Sequence, residues 1–92
     1  MIKSFRHKGL ERFYRTDGKS SIQAHHVRRL RNILGLLDMA RVPKDMDAPG
    51  YRLHPLTGDM KGFWSVWVDQ NWRVVFGFDG GDVILVDYCD YH

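Results

Sequence analysis

The stretch Trp72-Arg73-Val74-Val75-Phe76-Gly77-Phe78-Asp79-Gly80-Gly81-Asp82-Val83-Ile84-Leu85-Val86-Asp87-Tyr88 decides the fold. Trp72, Val74, Phe76 and Phe78 recur at every second residue, which puts four large apolar side chains on one face of a strand. Asp79-Gly80-Gly81 then places glycines where a tight hairpin needs positive φ. The chain resumes as Val83–Tyr88, apolar on both faces, so this strand is expected to lie centrally in its sheet.

Reading upstream from the hairpin, Phe63–Val68 alternates Trp64, Val66 and Val68 against Phe63, Ser65 and Trp67, and Asp69-Gln70-Asn71 turns it into the next strand. Tyr51–Leu56 is expected to be a further strand running into the turn Thr57-Gly58-Asp59. Before residue 41 the period changes. Ile22, Val27, Leu30, Ile33, Leu34 and Leu37 fall at helical spacings, with Ser20 or Ser21 expected as the cap and Arg41-Val42-Pro43 as the stop. Gly9–Arg15 reads as a shorter helix closed by Thr16-Asp17-Gly18, and residues 2–6 alternate like a short first strand. The expected fold is α+β: two N-terminal helices packed on one face of a small, mainly antiparallel sheet, in one domain over residues 1–92.

Composition narrows the function. Ninety-two residues are too few for a Rossmann or barrel enzyme, which needs about 250. Twelve aromatic rings compensate for a thin core, since each buries much surface while freezing few torsions. No run of 18 apolar residues spans a membrane, and Met1–His7 lacks the apolar stretch of a signal peptide. A lone cysteine, Cys89, fits a reducing cytoplasm. Charge is unevenly spread: residues 1–41 carry a net +7 and residues 42–92 a net −4. A basic first half suggests a polyanionic partner such as nucleic acid, or an acidic protein, although a solvated helix face explains Arg28, Arg29 and Arg31 equally simply.

Three places carry candidate chemistry. Arg73 sits mid-strand and points away from the aromatic face, where a guanidinium either lays its stem on Val75 and Trp67 or holds a phosphate. Alternation places His54 with Arg52 and Leu56, on the face of Arg73 if Leu53 points to the core. The ending Asp90-Tyr91-His92 continues a buried strand without a break, with ambiguous side-chain parity. No metal site is expected: Cys89 and His92 have the spacing of half a zinc site, but no second cysteine exists and His25-His26 lie on a helix elsewhere. Nor is there a P-loop, dinucleotide fingerprint or nucleophile elbow, so no cofactor is expected.

Tyr51-Arg52-Leu53-His54-Pro55-Leu56, Gly58-Asp59, Gly62-Phe63-Trp64-Ser65-Val66, Asn71-Trp72-Arg73 and Asp90-Tyr91-His92 together resemble the HigB family of killer toxins, within the RelE/ParE superfamily. Met1-Ile2-Lys3-Ser4-Phe5 and His7-Lys8-Gly9-Leu10 extend the likeness over nearly the whole chain. The resemblance implies a RelE-like microbial RNase fold and a type II toxin that cuts mRNA in the ribosomal A site. Its implied partners are the ribosome with its 16S rRNA, mRNA, and a helix-turn-helix antitoxin of the HigA kind, through which alone operator DNA would be reached. The implied reaction is metal-free: a ribose 2′-OH attacks the adjacent phosphate, which requires a base, an acid and a cation. His54 and His92 would supply the imidazoles and Arg73 the cation, with Asp90 orienting His92 or sharing the base role and Tyr91 positioning a base or phosphate. Several relatives carry Lys where this chain has Thr57, so Lys61 is expected to bear more of the phosphate contact, beside Arg28, Arg29 and Arg31 as ribosome- or antitoxin-binding residues. Two other functions remain: a gyrase poison of the ParE kind, which would need no acid–base pair, and a non-catalytic RNA- or protein-binding module.

Overall fold

The computed structural model describes residues 1–91. Helix α1 spans Lys8–Thr16 and α2 Val27–Met39; the sheet comprises β1 (His54–Pro55), β2 (Trp64–Trp67), β3 (Trp72–Asp79) and β4 (Asp82–Asp90), antiparallel in that order. The α+β arrangement expected from the sequence is thus the one observed.

Local chemistry fixes the ends of α1. The His7 side chain accepts the Leu10 N–H at 2.9 Å, and Asp17 closes the helix in the left-handed region with its N–H on the Phe13 carbonyl. The start of α2 departs from expectation. Neither Ser20 nor Ser21 caps it; a 3₁₀ turn, Ala24–His26, precedes the helix, and no side chain caps Val27–Met39. Ser21 instead lies against Gly9, where an added Cβ would sit only 2.2 Å from that of Ser21. The 3₁₀ turn draws His26 inward to the buried Tyr88 hydroxyl and the half-buried Asp69 carboxylate, and that tertiary pull outweighs the local capping preference.

Leu10, Phe13, Leu30, Ile33, Leu34 and Leu37 of the helices meet Val66, Val74, Phe76, Val83, Val86 and Tyr88 of the sheet in one core. The hairpin turns at Gly80 (φ +59°) and Gly81 (φ +97°), both in the left-handed region that only glycine enters freely. In β4 a bulge falls where Val75 pairs Asp87 while Gly77 pairs Ile84, with Leu85 at φ +53°. The extra residue lets Val83 and Val86, three apart, both turn into the core. It also explains why the strand reads as apolar on both faces.

The expected first strand is reduced to two isolated parallel bridges, Ile2 with Val83 and Phe5 with Val86. Between them the Ser4 hydroxyl takes the Leu85 N–H at 2.9 Å, which the bulge removes from the ladder. β4 is therefore last among the named strands, yet its outer edge is covered, and the expectation of a central strand holds in that sense. Tyr51–Leu56 is a strand only at His54–Pro55, because Arg52 adopts φ +51° and breaks the ladder behind it.

Candidate active site

Directly opposed residues of an antiparallel sheet point to the same side, so register assigns the faces. Trp67 pairs Arg73, which pairs Cys89; one row along, Ser65 pairs Val75, which pairs Asp87; and His54 pairs Ser65. Arg73, Trp67, Cys89 and His54 thus share the face turned from the helices, and Tyr91, two residues beyond Cys89, belongs with them. Asp90 pairs Trp72 and belongs by register to the helix-side face. The tail parity that the sequence left open is settled here. His54 stands two strands from Arg73 and exposed, Lys61 is exposed after a 3₁₀ turn at Gly58–Met60, and His92 lies outside the described residues.

Arg73 is the centre of this face. Its guanidinium carbon lies 4.1 Å from the Trp67 ring centroid and 5.3 Å from that of Tyr91, while Nη1 donates to the carbonyls of Asp69 (2.7 Å) and Trp72 (3.1 Å). Tyr91 is anchored by its N–H on the Asn71 carbonyl at 2.5 Å. Both residues therefore hang from the 69–72 turn, and Asp69 builds that turn. Its Oδ1 accepts the N–H groups of Asn71 and Trp72, each at 2.8 Å, and its Oδ2 accepts His26 Nε2–H at 2.6 Å. His26, buried at the start of α2, meets the Tyr88 hydroxyl with Nδ1 at 2.6 Å. The hydrogen bond from His26, above all, lowers the Asp69 pKa to about 2, so this group is a carboxylate throughout the neutral range. His25, exposed, lies 3.8 Å from the same oxygen.

Cys89 is not a nucleophile in this site. Burial, followed by the Asp87 hydrogen bond, pushes its thiol up to about 12, leaving almost no thiolate at neutral pH.

The three arginines of α2 part company. Arg28 is exposed, and Arg31 pairs Asp17 at 2.7 Å. Arg29 turns inward, contrary to the expectation of a surface residue: it lies over the Tyr51 ring at 4.4 Å and donates to the carbonyls of Trp67 (2.9 and 3.2 Å) and Gly50 (2.8 Å). Those carbonyls have lost regular ladder partners where β1 breaks, and a long forked donor satisfies both.

Sequence reading passed over Asp69, His26, Trp67 and Arg52 as site residues. Asp69-Gln70-Asn71 carried a signal, since Asp opening a turn accepts N–H groups two and three residues on. Its bond to His26, 43 residues away, left no local trace.

A family model described as the RelE-like toxin of type II toxin–antitoxin system HigB matches residues 3–92. The chain belongs to this family. It is 41% identical over 92 residues, the full length of both proteins, to the "Endoribonuclease HigB" of Proteus vulgaris. It is 35% identical over 98 residues to "Toxin HigB-1" of Vibrio cholerae serotype O1, covering all of this chain and 98% of that protein. Among solved structures it is similar to the YoeB/ParE toxin of Agrobacterium tumefaciens (TM-score 0.57, 22% identity, 99% of each chain). It is also similar to YafQ of E. coli strain BL21(DE3) (TM-score 0.53, 13% identity, 98% of this chain and 93% of the other). At those identities the structural likeness shows the RelE-like fold. Membership of a type II toxin family implies an antitoxin partner. No helix among the described residues is long and apolar enough to cross a membrane.

Proposed function

We propose that this HigB-like toxin is a ribosome-dependent endoribonuclease that cuts mRNA in the A site. The observation that supports it best is Arg73, fixed between Trp67 and Tyr91 on the face that also bears His54. A cation immobilised by two main-chain carbonyls needs no reorganisation when charge builds on a phosphate. The full-length likeness to a protein named an endoribonuclease supports the same reading.

In this reading the mRNA 2′-OH gives its proton to a base and attacks the adjacent phosphorus. The 5′-oxygen leaves with a proton from an acid, giving a 2′,3′-cyclic phosphate and a 5′-OH. His54 and His92 are the imidazoles for those transfers. Asp90, on the helix-side face by register, orients His92 or shares the base role around the sheet margin, Tyr91 positions a base or phosphate, and no metal takes part. Outside the ribosome the exposed His54 and the half-buried Arg73 are two strands apart, so the ribosome is left to hold the RNA in line. Arg28, Arg31 and Lys61 bind ribosomal RNA or the antitoxin. The antitoxin is a helix-turn-helix protein of the HigA kind, and the toxin acts in the cytoplasm.

Single-turnover cleavage on programmed ribosomes tests this. Cuts at A-site codons with little cutting of naked RNA are expected. Rapid cutting of purified RNA without ribosomes, or gyrase-linked DNA breaks in expressing cells, would reject it.

A further inference from the structure

Trp67 carries a second guanidinium. Arg52 lies over its ring with Cζ 4.2 Å from the centroid, and Arg73 lies over the same ring at 4.1 Å. The two arginines reach Trp67 from either side of β2: Arg52 from the segment just before β1, and Arg73 from β3, where it pairs directly with Trp67. Their charges are then within about 8 Å of each other, about one Debye length at physiological salt, so part of their repulsion survives screening. Among the described residues they are held by the Trp67 indole and, for Arg73, by the Tyr91 ring and two carbonyls, which attract a guanidinium without cancelling its charge.

The backbone at Arg52 is bent to make this row. Its φ of +51° is unfavourable for a residue with a long side chain. The bend is imposed by its neighbours: Arg29 clamps the Gly50 carbonyl and covers the Tyr51 ring, and the Tyr51 carbonyl takes the Trp67 N–H at 2.8 Å. Held there, Arg52 cannot continue the ladder, and its side chain is laid along Trp67. Asp87, a carboxylate on this face in β4, is engaged by the Tyr88 N–H and the Cys89 thiol.

We infer that Arg52, Trp67 and Arg73 form a two-phosphate clamp, in which Arg52 takes the RNA backbone phosphate next to the one held by Arg73. A row of two forked cations on a flat ring suits consecutive phosphates of a single strand, whose negative charge relieves the repulsion. Arg52 binds substrate and takes no part in proton transfer. The inference rests on the RNA-cutting reading above, and its test separates the two.

The test is binding of a short, labelled 2′-O-methyl RNA, which cannot be cut, followed by fluorescence anisotropy across a salt series. Arg52→Gln should weaken binding about tenfold and reduce the salt slope by about 0.7, the value for one contact to a single strand. Arg52→Lys should keep most of the slope. Lys44→Gln, an exposed charge on the 3₁₀ turn Pro43–Met46 outside the sheet, should change little. Arg52→Gly is the check on folding, since glycine accepts the backbone angle: it should melt no lower than wild type yet bind as weakly as Arg52→Gln. Binding by Arg52→Gln no weaker than by Lys44→Gln, or no saturable binding by the wild type, overturns the clamp. Ribosomal cleavage is measured beside it: a wild type that binds RNA but never cuts on ribosomes rejects the proposed reaction and leaves the clamp standing. Where cutting occurs, Arg52→Gln should raise the half-saturating concentration about tenfold and leave the maximal rate within about twofold.

Discussion

The main-chain carbonyl of Asp69 accepts a 2.7 Å hydrogen bond from Nη1 of Arg73, four residues further on. Because the Asp69 side chain also organises the turn between them and is itself held by His26, the placement of Arg73 depends on a histidine in the 3₁₀ turn that leads into α2. Asp69→Asn keeps an acceptor for the turn N–H groups but weakens the bond to His26. Asp69→Ala removes all three bonds. Single-turnover cleavage should fall modestly for Asn and by about 10–100-fold for Ala, the scale expected when a positioning contact near the chemistry is lost. Equal activity of both variants with wild type would detach the turn from the site.

The same carboxylate sets an acid limit on stability. Asp69 titrates near 3.8 in an ordinary environment and near 2 here, chiefly through His26. The folded-state pKa is depressed, so the stabilisation is fully present above about pH 4 and is lost as the pH falls toward 2. Asp17 and Asp45 are lowered in the same sense, by Arg31 and Lys19 and by the N–H groups of Arg41 and Val42 respectively. Comparing urea midpoints of wild type and Asp69→Asn between pH 2 and 6 isolates one contribution. The two curves should converge as the pH drops; a constant gap would mean the carboxylate's charge is irrelevant.

Removal of His92 separates chemistry from folding. The melting temperature is measured beside cleavage and should not move. Cleavage on programmed ribosomes should fall by about 10²–10⁴-fold if the imidazole moves a proton, and His92→Gln should behave alike, since an amide cannot shuttle one. Unchanged cleavage would leave His54 and Asp90 to share the transfers.

Arg73→Ala should cost at least as much, by loss of charge stabilisation at the phosphate. Arg73→Lys should restore little, because a single ammonium cannot span both carbonyls, stack on Trp67 and still face substrate. Full recovery by lysine would show that charge alone matters there.

Arg28 and Arg29 are adjacent yet should respond differently. Arg29→Ala strands the Trp67 and Gly50 carbonyls and should destabilise the fold by about 1–3 kcal/mol. Arg28→Ala should leave the melt unchanged and flatten the salt dependence of ribosome association. Chemical denaturation beside ribosome pelleting at two salt concentrations checks both; equal stability of the two variants would refute the clamp assigned to Arg29.

Periodicity alone determined the hairpin at Gly80-Gly81, the apolar faces of β2 and β3, the apolar stripe of α2 and the α+β class, because each depends on residues close along the chain. Arg73 was legible for the same reason, as a charge at the wrong parity in an apolar strand. Tertiary structure decided what local pattern leaves degenerate. Val83 and Val86 share a core face only through the bulge at Leu85, which the Ser4 hydroxyl from the other end of the chain completes. The parity of Tyr91 and Asp90 follows from their pairing with β3, and no run of residues at a chain end fixes it. Arg29 points inward and His26 forgoes a helix cap because partners 21 to 62 residues away bind them more strongly than local preferences hold them out. Arg52 shows the physical reason most plainly. Its sequence neighbours favour an extended strand, yet it stands in the left-handed region, with Arg29 holding Gly50 and Tyr51 just before it and its own guanidinium over Trp67, all contacts to distant segments.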